Sequence, residues 1–97
     1  MELNQPFTAF FTAIVDDPRI SITHIGVYVA LLQYWQEHDF ENPIKVFSYE
    51  IMRIGKISGS NTYHKVIKQL SEYGYIQYQP SFKRNQGSKV YINTKDV

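Results

Sequence analysis

Apolar positions along the chain follow two periods, and the change from one to the other divides it into elements. From Ser48 to Ile76 the sequence reads SYEIMRIGKISGSNTYHKVIKQLSEYGYI. Within it Tyr63, Val66, Ile67, Leu70 and Tyr73 recur at i, i+3, i+4, i+7 and i+10. That spacing predicts a helix over 60–73 with one buried face. At about 100° per residue, the opposite face carries Asn61, His64, Lys65 and Lys68, with Ser71 and Glu72 towards its end. The same period places Phe7, Phe10, Phe11 and Ile14 on one side of an N-terminal helix. Asn4-Gln5-Pro6 opens that helix and Asp16-Asp17-Pro18 ends it, because the ring of Pro18 disfavours α geometry at Asp17. A third helix is expected over 22–37, capped by Ser21 or Thr23. Its buried face would be Ile25, Tyr28, Val29, Leu32 and Trp35, but Val27, Leu31 and Tyr34 make the other side apolar too. A helix apolar nearly all round is covered on both sides. The N-terminal helix is one candidate cover; a second copy of the chain, pairing through both helices as a homodimer, is the other.

Between these helices lie shorter signals. Glu37 to Pro43 reads as a polar, solvated loop, and Ile44 to Phe47 as a short strand pairing with a later hairpin. Ser48 is expected to cap a helix over Tyr49–Ile54 that Gly55 stops, with Ile57 buried under the following turn. Ser58-Gly59-Ser60-Asn61 offers several caps to helix 60–73, and Gly74 suits the left-handed position just past its end. After Gly74 the period becomes two: Ile76 and Tyr78 point one way, Tyr75, Gln77 and Gln79 the other. Val90 to Asn93 would be the antiparallel partner strand, joined through PSFKRNQGSK with its bases Lys83, Arg84 and Lys89. The expected fold is α+β, mainly α: one domain over 1–97, with a helical extension over 1–20 and a core over 22–93.

Composition narrows the class. With 43% apolar and 15% aromatic residues in 97, the chain can bury a core and is not disordered. The absence of cysteine excludes disulfides and thiolate metal sites. No basic stretch precedes an apolar run in residues 1–20, and no apolar run approaches about 18 residues, so a soluble, cytoplasmic protein is expected. The net charge of +1 conceals a division. Residues 1–44 hold one base, Arg19, against six carboxylates; residues 45–95 hold nine bases against Glu50 and Glu72. A basic half with an acidic half turned away suits a polyanionic partner.

Catalysis finds little support. No HExxH, nucleophile elbow, P-loop or glycine fingerprint occurs, and His24 is remote in sequence from any nucleophile with a base, so no enzyme activity and no cofactor are expected. His38 beside Glu37, Asp39 and Glu41 lacks the spacing of a metal site. The polar stripe Asn61, His64, Lys65 and Lys68 instead suits a DNA groove: Asn61 could pair with adenine, and the lysines could meet guanine or phosphate. Lys83, Arg84 and Lys89 in the hairpin loop could reach the backbone or minor groove beside it. Among the tyrosines, Tyr75 on the outer face of its strand is the candidate for base stacking.

The order helix, short strand, helix, turn, helix, strand, basic loop, strand resembles a winged helix-turn-helix domain over about residues 22–93. Gly55, Ile57-Ser58, Thr62, Lys65, Ile67, Leu70 and Gly74-Tyr75-Ile76 carry the likeness. They look like the family's Gly–Val–Ser turn, its threonine near the start of the recognition helix, and its leucine-to-glycine exit. Ile57 and Thr62 stand one residue further apart than in that pattern. NTYHKVIKQLSEYGYI followed by PSFK and GSKVY is similar to small winged-helix proteins of Bacteroides-type mobile elements, described as regulators or transposon proteins. The resemblance implies binding to double-stranded DNA in a bacterial regulatory or mobile-element system, with helix 60–73 in the major groove and the 80–89 wing beside it. The competing expectation is a winged-helix adaptor that binds protein in a replication or recombination complex, through helix 22–37 and the N-terminal helix.

Overall fold

The computed structural model describes residues 4–81 and 86–93. Its elements are α1 (Asn4–Ile14), α2 (Ile22–Glu37), β1 (Ile44–Val46), α3 (Ser48–Gly55), α4 (Ser60–Glu72), β2 (Ile76–Gln79) and β3 (Ser88–Ile92). The fold is α+β and mainly helical, with a three-stranded antiparallel sheet in the order β1-β3-β2.

The sequence builds α2 as the central helix. Ser21 caps it: the hydroxyl accepts the His24 N–H, and His24 Nδ1 accepts the Ser21 N–H at 3.0 Å. This is a capping box with histidine in the place usually held by glutamate or glutamine. Beyond the cap, Val27, Tyr28, Ala30, Leu31, Leu32, Tyr34 and Trp35 are buried on all sides. Both sides are covered, as expected: Tyr28, Leu32 and Trp35 on one and Val27, Leu31 and Tyr34 on the other are buried, while Ile25 and Val29 are only half-buried. The same chain supplies the cover. Phe10 of α1 stacks on Tyr28 at 3.8 Å, and α3 and α4 pack against α2 elsewhere. These contacts account for the burial of α2 without a second copy.

α2 leaves through a tight turn. The Glu41 N–H donates to the His38 carbonyl at 3.2 Å, and Asp39 and Phe40 between them have φ of 57° and 58°. Those are the features of a type I′ turn, whose second central position favours glycine. Phe40 holds it because its ring meets Trp35 edge-on at 4.9 Å, packing that offsets the unfavourable backbone. The rest of the loop is exposed, as expected, except for half-buried Pro43. Asn42 then exchanges two hydrogen bonds with the Ile92 backbone, at 2.9 and 3.0 Å, and extends the β1 ladder by one rung. The Asn42–Pro43 peptide bond is cis.

α3 corrects two expectations. Ser48 is its first helical residue, not its cap; Phe47 is the N-cap and offers no side-chain hydrogen bond. Gly55 is its last helical residue, and Lys56 takes the left-handed position at φ 60°. The glycine answers to packing: a Cβ at Gly55 would lie 3.3 Å from the Gly26 carbonyl oxygen and 3.5 Å from Ala30 Cβ, where α3 crosses α2.

α4 follows the predicted period. Tyr63, Val66, Ile67 and Leu70 are buried, Tyr73 half-buried. Of the four candidate caps Gly59 takes the N-cap position, so no side chain caps the helix. At the other end, Gly74 (φ 89°) and Tyr75 donate their N–H groups to the carbonyls of Ser71 and Leu70, a Schellman closure. β3 starts two residues earlier than expected and forms the middle of the sheet. It pairs Lys89 with Lys45 and Gln79, and Ile92 with Ile76. Ile44, Val46, Ile76, Val90 and Ile92 face the helices; Lys45, Gln77, Gln79 and Lys89 are exposed.

Candidate nucleic-acid interface

The outward face of α4 follows from its buried one. Asn61, Lys65 and Lys68 are exposed along it, and His64 is half-buried between them and the core. His64 Nδ1 lies 2.8 Å from the Ser60 carbonyl. A carbonyl only accepts, so the Nδ1 proton is fixed there and Nε2 is left for a partner. A groove of about 190 Å³ runs beside this turn, between the entry to α3 and the root of the β2–β3 hairpin. Phe47, Ser48, Tyr63, His64, Tyr78, Gln86 and Ser88 are among its lining residues. Tyr63 is only 1% exposed, and burial pushes its hydroxyl pKa up. Gly87 closes the hairpin root against β1: a Cβ there would stand 2.5 Å from the Val46 carbonyl oxygen.

Of the sequence-derived candidates, Asn61, His64, Lys65 and Lys68 come together on α4. Lys83 and Arg84 lie outside the described residues. Lys89 is on the exposed sheet face, opposite Lys45, and lines a different cavity from His64. Tyr75 is not a free stacking surface. Its hydroxyl donates to Asp17 at 2.6 Å and its ring meets Phe10 edge-on at 5.2 Å, which holds it half-buried.

The structure also joins residues that sequence reasoning left apart. His24 Nδ1 accepts the Ser21 N–H, so its proton belongs on Nε2, which donates to Gln69 Oε1 of α4 at 2.8 Å. One turn on, Arg19 lies over the Tyr73 ring, 4.1 Å from its centroid, and pairs with Asp17 at 2.8 Å. The Arg19 guanidinium, followed by the Tyr75 hydroxyl, holds the Asp17 carboxyl far below the usual carboxylate range. Burial, then Asp17, pushes the Tyr75 hydroxyl up. The corner between α1 and α2 is thereby tied to the C-terminal half of α4 and to the approach to β2. The Ser21-x-x-His24 spacing could have disclosed the cap; the contacts to Gln69, Tyr73 and Tyr75 span too much chain to be read from local pattern.

Among the described residues no group of three or more metal-binding side chains comes together. No described helix is long and apolar enough to cross a membrane. Comparison with known proteins found no matching family model, no matching curated protein and no matching solved structure.

Proposed function

We propose that this chain is a winged helix-turn-helix protein that binds double-stranded DNA, serving transcriptional regulation or the excision or replication of a mobile element. The observation that carries the reading is α4 itself. One face is locked into the core, and the other presents an amide, an imidazole and two ammonium groups to solvent. A helix about 10–12 Å across fits a major groove about 12 Å wide. Asn61 suits the adenine edge, while Lys65 and Lys68 suit guanine or phosphate. The first N–H groups of α4 carry no side-chain cap and suit a phosphate oxygen. The order of elements, the α3–α4 turn and the hairpin that follows α4 support the winged-helix assignment. In this reading Lys83 and Arg84 on the hairpin loop meet the backbone beside the groove.

A second reading, a protein-binding adaptor, draws on the exposed apolar side chains Phe7, Val15 and Ile22 at the α1–α2 side of the molecule. Fluorescence anisotropy on mixed-sequence duplex DNA across a salt series separates the two. Wild type should bind with a steep negative slope of log affinity against log salt, and K65A/K68A should lose about one to two units of that slope. Absence of binding by wild type at low salt would overturn the DNA reading and favour the adaptor.

A further inference from the structure

The turn after α2 and strands β1 and β3 line a second cavity. Its volume is about 360 Å³, and His38, Glu41, Lys45 and Lys89 are among its walls. The register sets Lys45 directly across from Lys89 on neighbouring antiparallel strands. Like charges in that relation destabilise a sheet unless something answers them. Among the described residues neither ammonium has an ion pair or hydrogen bond. Gln79, on the far side of Lys89, adds an exposed amide to the same row.

The opposite wall is pre-set. His38 Nδ1 donates to the Tyr34 carbonyl at 2.8 Å and the ring stacks on Tyr34 at 4.0 Å, which fixes the imidazole and leaves Nε2 unused. The positive φ values of Asp39 and Phe40 hold His38 and Glu41 at the two ends of one tight turn. Asn42, pinned to Ile92, anchors that turn to β3 beside the lysines.

We infer that this cavity binds a phosphate group, with Lys45 and Lys89 as its charged donors, and with His38 Nε2 left to accept from a hydroxyl or amine of the same ligand. The two ammonium groups meet the charge of a phosphate dianion, whose several oxygens can accept from more than one donor at once. Glu41 at the rim opposes a bare anion, so it favours a phosphate carried by a ligand that also has a hydroxyl or amine to donate. Two sources share this chemistry: a free phosphorylated small molecule and a nucleic-acid backbone. The site is separate from α4, and its test does not depend on what α4 binds.

Inorganic pyrophosphate titrated into the intact chain, followed by calorimetry and by the shift in melting temperature, reads the free-ligand source. Saturable binding is expected, weakened about tenfold by either Lys45→Met or Lys89→Met, unchanged by K65A/K68A, and strengthened by Glu41→Gln. Duplex DNA in the salt series reads the other source. If pyrophosphate does not saturate but K45M/K89M lowers the DNA salt slope by about one to two units, the phosphate is that of a nucleic acid. Without any ligand, each lysine variant should melt no lower than wild type, because it removes a like-charge opposition. Pyrophosphate binding that survives K45M/K89M overturns the inference. So does a double variant that alters neither pyrophosphate binding nor the DNA salt slope.

Discussion

Replacing Gln69 by leucine isolates the bond between α2 and α4. The His24 Nε2 proton points at Gln69 Oε1 from 2.8 Å, and His24 is only 6% exposed. Leucine fills similar space but accepts nothing, so a buried donor is left unpaired, at a cost of about 1–3 kcal/mol. For a domain near 100 residues, each 1 kcal/mol corresponds to about 4–8 °C in melting temperature. His24→Ala removes more: the same bond, and the ring nitrogen that accepts the Ser21 N–H, a cap contact worth about 0.5–2 kcal/mol. Urea unfolding of both single variants and of H24A/Q69L closes a double-mutant cycle, which should give a coupling of about 0.5–3 kcal/mol. Long-range proton–nitrogen NMR adds a check independent of stability. His24 should carry its proton on Nε2 and His64 on Nδ1, opposite tautomers within one chain. A coupling near zero, or His24 protonated on Nδ1 alone, would refute the assignment.

Three further outcomes follow from particular residues. Asp17 ionises at lower pH in the folded chain than its ordinary value of 3.8, so its contribution to stability is complete above that value and is lost as pH falls below it. Acid unfolding monitored by circular dichroism should therefore be shallower in Asp17→Asn than in wild type; an unchanged acid limb would count against the Arg19 and Tyr75 contacts. Gly87→Ala sets a methyl group against the Val46 carbonyl and should destabilise by about 1–3 kcal/mol in thermal melts. Lys56→Gly relieves a left-handed residue that no core contact requires, and should stabilise by up to about 1 kcal/mol in the same assay.

The helices that meet the core through one continuous stripe were legible along the chain. Tyr63, Val66, Ile67 and Leu70 declare α4 because local spacing and burial coincide there, and Gly74 closes it where the pattern changes. Gly55 misled for the opposite reason. A glycine after a short helix suggests a left-handed end, but here the demand comes from Gly26, on another helix, and Lys56 accepts the strained position instead. Ser48 has the right chemistry for a cap and sits one residue too late. The stripe on α4 was visible from its period. Lys89 could not be separated from it until the register set it across from Lys45. Asp17 and Tyr75 lie 58 residues apart, and nothing in either neighbourhood announces the other.

The two ends of α4 are held by different means. Its rear half is bound by directional contacts, from His24 to Gln69 and from Arg19 to Tyr73, and is closed by the turn at Gly74. Its first turn has no side-chain cap and is held by the packing of Tyr63 and by the local His64 Nδ1 bond to the Ser60 carbonyl, with no directional contact to another element. Any partner met at Asn61 and His64 therefore encounters the end of the helix with the most freedom left to lose. The entropy of ordering falls on a single turn, while the register of the rest is fixed before contact. Amide hydrogen exchange should rise steeply from Leu70 back to Asn61, and that gradient should flatten when the surface is occupied.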